Sequence, residues 1–227
     1  MQTPAERSLI SHLAQVITLK KDSSMITQMI NLGASKSVVI ESYLLEQGLQ
    51  FVCDRLDVED CEIQAPYVEH CYQASLSDMN EVSSDHYDLA FSNYVLEHVT
   101  DLAGCALEIH RILKNKGRYV VSTPNPSAPE FLLSKITPLT FHQWIRGSKT
   151  EHRAFETVYA YKNLKELIGV FAAAGLRMEK SEYFPATYTY LYRFPVLRTV
   201  SKWYDSIVAA SGIKSLQGNV CLVFIKD

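Results

Sequence analysis

The chain has 227 residues, enough for one domain with a buried core and short for two independent ones. Its 22 Lys and Arg against 25 Asp and Glu give a formal charge of −3, with no basic block to track a phosphate backbone, which argues against a nucleic-acid partner. Hydrophobic residues at 47% and charged residues at 21% argue against wholesale disorder. The N-terminal MQTPAERSLISHLAQVITLKK lacks a basic leader followed by an apolar core and a small-residue cleavage site, and no later stretch runs 18 apolar residues without a charge. Neither secretion nor a transmembrane segment is expected. Five cysteines (Cys53, Cys61, Cys71, Cys105, Cys221) form no CxxC pair, so neither a disulfide framework nor a metal site is suggested, and a cytoplasmic location fits best.

Thr3-Pro4-Ala5-Glu6 reads as a helix start, with Thr3 as N-cap and Glu6 closing a capping box; Ile10, Leu13 and Ile17 follow at helical spacing. Met29-Ile30-Asn31-Leu32 leads as a strand into Gly33-Ala34-Ser35, and a helix is expected from about Lys36 to Glu46, before Gly48. A second strand, Gln50 to Cys53, ends at Asp54; a weaker third surrounds Val68 to Gln73; Tyr87 to Ser92 makes a fourth. A helix from about Leu102 to Leu113 stops at Lys114 to Gly117, and Arg118 to Ser122 forms a fifth strand closed by Thr123-Pro124-Asn125-Pro126. Strands alternating with helices imply a mainly parallel sheet covered on both faces, with ligands at the carboxyl ends of its strands.

After Asn125 the alternation lapses. Residues 126–158, with Pro126, Pro129, Pro138, Phe141, His142, Trp144 and His152, are expected to form a mobile lid over the strand ends. Tyr161 to Ala174 reads as a helix closed by Gly175, Leu176 to Phe184 as a strand, and Val220 to Ile225 as the last strand. Between those two strands lies an insertion, residues 185–217, with a hydrophobic helix around Val196 to Ala210. The whole is read as one domain: an N-terminal helix (1–24), a core (25–125), the lid and the insertion.

The block Tyr87-Asp88-Leu89-Ala90-Phe91-Ser92-Asn93-Tyr94-Val95-Leu96-Glu97-His98-Val99, then Glu108 to Gly117, then Val120 to Pro126, resembles the second half of class I S-adenosylmethionine-dependent methyltransferases. That resemblance implies a Rossmann-like α/β fold with a seven-stranded sheet in the order 3-2-1-4-5-7-6, one strand antiparallel, and S-adenosyl-L-methionine as cofactor. Where the family carries D/E-x-G-x-G-x-G, this chain has Asn31-Leu32-Gly33-Ala34-Ser35-Lys36-Ser37, keeping only Gly33. Small residues at the altered positions are tolerable if the backbone there needs no positive φ.

The resemblance further implies that Gly33, Ala34 and Ser35 approach the methionine part of the cofactor and that Asp54 accepts hydrogen bonds from the ribose hydroxyls, as a two-oxygen carboxylate suits. The family's next acid, on the adenine, falls near Ala74-Ser75-Leu76, which leaves Asp78, with Ser75 as a substitute polar contact. Asn93 and Tyr94 stand at the end of the fourth strand, within the block that borders the cofactor. His98, in the same block, and the lid residues His142 and His152 are the candidate catalytic groups, because an imidazole titrates near working pH and can take a proton from a hydroxyl. A packing or solvent-exposed histidine is the plain alternative for each.

The insertion crowds Tyr183, Tyr188, Tyr190, Tyr192, Trp203 and Tyr204 with Arg193, Arg198 and Lys202. It reads either as a substrate wall or membrane-surface contact, or as a helix packing on sheet and lid with one or two tyrosines lining the pocket. The expected function is methyl transfer to a small-molecule or glycan-precursor acceptor, at oxygen. The alternative is a repurposed or inactive methyltransferase-fold protein serving as a binding partner or in a non-methylating biosynthetic step.

Overall fold

A computed structural model describes residues 2–21, 25–129, 131, 157–192 and 194–227. Seven strands form one sheet in the order β3-β2-β1-β4-β5-β7-β6, as expected. Strands β1 (Thr27–Leu32), β2 (Phe51–Asp57), β3 (Cys71–Gln73), β4 (Tyr87–Asn93) and β5 (Leu113–Pro124) run parallel; β7 (Asn219–Lys226) is antiparallel to both β5 and β6 (Leu176–Phe184). The inner strands are buried on both faces, so period-2 alternation sorts side chains between two cores rather than between core and water.

Met29, Cys53, Leu89, Phe91 and Val120 face one layer, formed by α1 (Pro4–Lys21) and α2 (Val39–Glu46) through Leu9, Leu13, Ile40 and Leu44. Ile30, Leu56, Tyr87, Tyr119 and Val121 face the other, formed by α3 (Leu102–Ile112) and α4 (Leu164–Ala173) through Cys105, Ile109, Leu167 and Phe171. The capping box at the start of α1 is real: the Glu6 N–H donates to Thr3 Oγ1 at 3.1 Å, and the Thr3 N–H donates to Glu6 Oε2 at 2.6 Å. Asp101 and Asn163 are the N-caps of α3 and α4, accepting from the N–H groups of Gly104 and Glu166. The edge strand β6 carries Arg177, Glu179 and Lys180 on exposed positions, charges that discourage a further strand from adding.

Element boundaries differ from the sequence expectation where long-range partners intervene. Strand β2 continues through Asp54 to Asp57, because Asp54 and Arg55 each find a buried partner. Helix α2 starts at Val39 rather than Lys36, since the carbonyls of Ala34, Ser35 and Ser37 are held by Arg55 in a loop instead. The third strand shortens to Cys71–Gln73 and α4 begins at Leu164. Most of the expected lid, including His142 and His152, lies outside the described residues.

The insertion holds α5 (Thr187–Leu191) and α6 (Pro195–Ser211). Helix α6 turns Ser201 and Val208 inward and leaves Val196, Val200, Trp203 and Ile207 outward, with Val196 77% and Trp203 70% exposed. An apolar stripe at helical spacing is therefore exposed rather than turned into the sheet; the expected packing on the lid falls on residues outside those described.

Phe171 fills the α4 side of the core, stacked on Phe224 at 4.8 Å and on Tyr119 at 5.5 Å between ring centroids. Phe171→Ala is expected to lower unfolding free energy by about 3–5 kcal/mol, measured by urea titration; a loss below about 1 kcal/mol would contradict this packing.

Candidate active site

The sheet order changes direction between β1 and β4: from β1 the chain winds outward to β2 and β3, and then returns to β4 on the other side. Such a switch point opens a crevice at the carboxyl ends of the two strands. A cavity of about 300 Å³ lies there, lined by Gln2 and Glu6 of the N-terminal region, Asn31, Gly33 and Ala34 after β1, Ile40, Glu41 and Tyr43 of α2, and Asn93 of β4.

Gly33 adopts φ +77°, and a Cβ there would come within 2.8 Å of Val95 Cγ1 and closer still to Cγ2. Glycine is thus required at this turn both by conformation and by space. The Gly33 and Ala34 N–H groups donate to the Leu56 carbonyl at 2.8 and 3.1 Å, fastening the loop across to β2. Ser35 holds φ +47°, so the position where the resemblance expects a second glycine retains the left-handed backbone. The condition under which a small side chain would be harmless, absence of positive φ, is not met, and Ser35 sits in a strained conformation.

What holds that loop is Arg55. Its guanidinium is fully buried; Nη1 donates to Glu41 Oε1 at 2.6 Å, Nε to the Cys61 carbonyl at 3.3 Å, and Nη2 to the carbonyls of Ala34, Ser35 and Ser37 at 3.1, 3.1 and 2.8 Å. Glu41 Oε1 also accepts from Asn31 Nδ2 at 2.9 Å, whereas its Oε2 has no hydrogen-bond partner although Glu41 is only 1% exposed.

Asp54, expected at the end of the second strand as the ribose acid, lies inside β2 opposite Ile30. It is buried on the α3/α4 face, where Oδ2 accepts from Tyr87 Oη at 2.7 Å and Oδ1 from the His70 N–H at 2.9 Å. Burial and this carboxylate push the Tyr87 phenol well above its ordinary pKa, so the pair is a packing bond within the core. The acid at the carboxyl end of β2 is Asp57, which is not among the residues expected from the sequence. Its Oδ2 accepts from the Ser35 N–H at 2.8 Å and its Oδ1 from the Glu59 N–H at 3.0 Å, which puts it directly beside the glycine loop.

On the β3 side, Ser75 and Asp78 close a small turn: the Asp78 N–H donates to the Ser75 carbonyl at 3.0 Å, and Asp78 Oδ1 accepts from Asn80. Both are exposed, while Leu76 between them is buried. On the β4 side, Asn93 Nδ2 donates to Glu6 Oε1 at 2.9 Å and Asn93 Oδ1 accepts from Ser122; Tyr94, at φ +56°, places Oη 2.9 Å from Thr3 Oγ1. The capping box of α1 therefore ties the helix start to the end of β4. His98 ends the 3-10 turn Leu96–His98 just beyond, half-buried.

Glu97, beside it, is buried beneath the segment that returns at Val158: the Val158 and Tyr159 N–H groups donate to its carbonyl, and Thr123 Oγ1, itself 3.0 Å from Tyr161 Oη, reaches its carboxyl at 3.4 Å. Burial pushes the Glu97 carboxyl up to about 7 from 4.5, with the hydrogen bond from Thr123 opposing it. Between those values the folded chain keeps a proton that the unfolded chain releases, so this group's contribution to stability falls as pH rises from about 4.5 to 7 and is flat beyond. Glu97→Gln, which stays neutral, is expected to remove about 3 kcal/mol of that decline, read from denaturation at pH 5 and pH 8. An identical decline in the variant would assign it to other groups.

The chain's fold is shared by solved structures at low identity. One is a candidate sarcosine dimethylglycine methyltransferase from Galdieria sulphuraria, at 15% identity and TM-score 0.59, covering 98% of this chain and 85% of that one. Another is the 1,6-didemethyltoxoflavin-N1-methyltransferase of Burkholderia thailandensis with its substrate and S-adenosylhomocysteine bound, at 15% and 0.54, covering 98% and 78%. A third is an S-adenosylmethionine dependent methyltransferase from Mesorhizobium loti, at 16% and 0.55, covering 88% and 91%. No protein of curated function matches the chain by sequence. Residues 41–181, from the acid that braces the loop to the middle of β6, match the methyltransferase-domain family model, and the chain belongs to that family.

Proposed function

We propose that the chain transfers the methyl group of S-adenosylmethionine to a small-molecule acceptor. The observation that carries this reading is the cavity at the β1/β4 switch point, floored by a Gly33 that neither conformation nor space allows to be replaced. The cofactor supplies an activated methyl on a sulfonium, and the work left to the chain is to bind, orient and exclude water. In this reading the backbone of Gly33, Ala34 and Ser35 borders the methionine part. Asp57 takes the ribose role, because each of its oxygens accepts one backbone N–H and retains a lone pair for a hydroxyl. Ser75 and Asp78 border the adenine, and Asn93 and Tyr94 close the β4 side. His98, half-buried just past β4, is assigned to orient a hydroxyl of the acceptor, with oxygen as the acceptor atom, in a small molecule or glycan precursor.

The test contrasts the two acids of β2. Asp57→Ala should weaken S-adenosylhomocysteine binding by about 2–4 kcal/mol in titration calorimetry, the loss of two charge-assisted hydrogen bonds, whereas Asp54→Asn should lower stability and leave affinity within a few-fold. An Asp57 variant that binds like the parent would remove the ribose assignment.

The outward apolar stripe of α6, flanked by exposed Arg198 and Lys202, supports contact with an anionic membrane surface carrying the acceptor. No helix among the described residues is long and apolar enough to cross a membrane. The parent should co-sediment with vesicles containing phosphatidylglycerol and the Trp203→Ser/Ile207→Ser variant should not; equal recovery of the two would exclude this face.

A further inference from the structure

The cavity at the switch point has a consistent electrostatic character. Two of its lining side chains are carboxylates, Glu6 and Glu41, and none is basic. Both oxygens of Glu6 are engaged, by Asn93 Nδ2 and by the Thr3 N–H. Glu41 differs: Oε1 takes Arg55 and Asn31, while Oε2 is buried without a partner. A buried acceptor left unmade costs free energy that folding alone does not recover, and such a group at the wall of a cavity is completed by a ligand that donates to it. Arg55 neutralises one of the two carboxylate charges from behind, which leaves the cavity with the charge of Glu6 and a free acceptor on Glu41. A cationic N–H donor fits both.

We infer that Glu41 Oε2 is the receptor for an alkylammonium group, that of the amino-acid end of the bound cofactor. The inference rests on the cofactor reading above and adds to it the residue that recognises this end. In this chain the strand end carries neutral Asn31, whose Nδ2 faces Glu41, so the acid that meets the ligand comes from α2, one turn after the loop. The same carboxylate thereby joins two tasks. Oε1 braces the guanidinium that holds the carbonyls of Ala34, Ser35 and Ser37, and Oε2 reads the ligand. Occupancy of the site would complete the buried network and tighten the loop that carries the ligand.

The experiment is calorimetric titration with two ligands: S-adenosylhomocysteine, and its analogue with hydrogen in place of the amino group. The parent should bind the first roughly 10- to 100-fold more tightly, the value of one charge-assisted hydrogen bond. Glu41→Gln keeps an acceptor for Arg55 but turns an amide N–H₂ toward the ligand, and in this variant the preference should vanish. Equal affinity of the parent for both ligands overturns the inference while leaving the cofactor reading intact, and this comparison stands even where the variant fails to fold. A preference that survives in Glu41→Gln also overturns it, since another group then reads the amine. If the parent binds neither ligand, the cofactor reading fails and this inference falls with it.

Discussion

The buried ion pair between Arg55 and Glu41 is the constraint on which the site's shape depends. A guanidinium removed from water incurs a large desolvation cost that only close pairing and further hydrogen bonds offset. Here the offset is supplied by one carboxylate and four backbone carbonyls, three of them in the loop between β1 and α2. That loop contains a single glycine and keeps a left-handed backbone at Ser35, a conformation that costs an L-residue on the order of 1–2 kcal/mol. The strain persists because the surrounding structure over-determines it: Arg55 grips the loop's carbonyls from below, and Asp57 accepts the Ser35 N–H from the side. Two consecutive odd positions of β2, on the same face of the sheet, thus hold both sides of the loop.

A second set of ties converges on the same crevice from β4. The capping box that starts α1 would satisfy a helix end anywhere, yet here its two side chains also meet the end of β4, Glu6 through Asn93 and Thr3 through Tyr94. A local helix-start device therefore positions one wall of the cavity. Stability and site geometry share these residues, and the wall joins such bonded groups to two buried polar atoms without a partner among the described residues, Glu41 Oε2 and Gln2 Nε2.

Most of the architecture was legible in the sequence because it rests on local signals. The strand over Leu176–Phe184 and the Thr3/Glu6 cap follow from local pattern and capping residues, whereas the seven-strand order is what the resemblance of the motif blocks to the family implies. The site was legible only in part. Gly33, Ala34 and Asn93 line the cavity, but Asp54 does not, since an aspartate after four apolar-rich residues reads as a strand end when nothing local reveals that Tyr87 awaits it in the core. The same blindness hid Arg55, a charge that becomes structural only through a partner 14 residues away, and with it the continuation of β2 to Asp57. Glu97 carries no sequence signal beyond its neighbour His98; its perturbed carboxyl arises from burial by a segment some 60 residues later. The outward face of α6 was hidden for a related reason, since a helix's hydrophobic stripe shows its width but not the direction in which it is turned.

The Arg55–Glu41 pair, rather than glycine content, gives the loop its shape. Replacing both partners by methionine removes two buried charges together and leaves no unpaired ion, which avoids the large penalty of breaking the pair from one side. The measurement is the affinity of this Arg55→Met/Glu41→Met double variant for the S-adenosylhomocysteine analogue with hydrogen in place of the amino group, a ligand that makes no contact with Glu41 through an amine, alongside its melting temperature. The expected result is a folded double variant, destabilised by the carbonyls that lose Arg55, whose affinity for this analogue has fallen at least tenfold; a folded double variant that binds it as the parent does would contradict the role given to the pair.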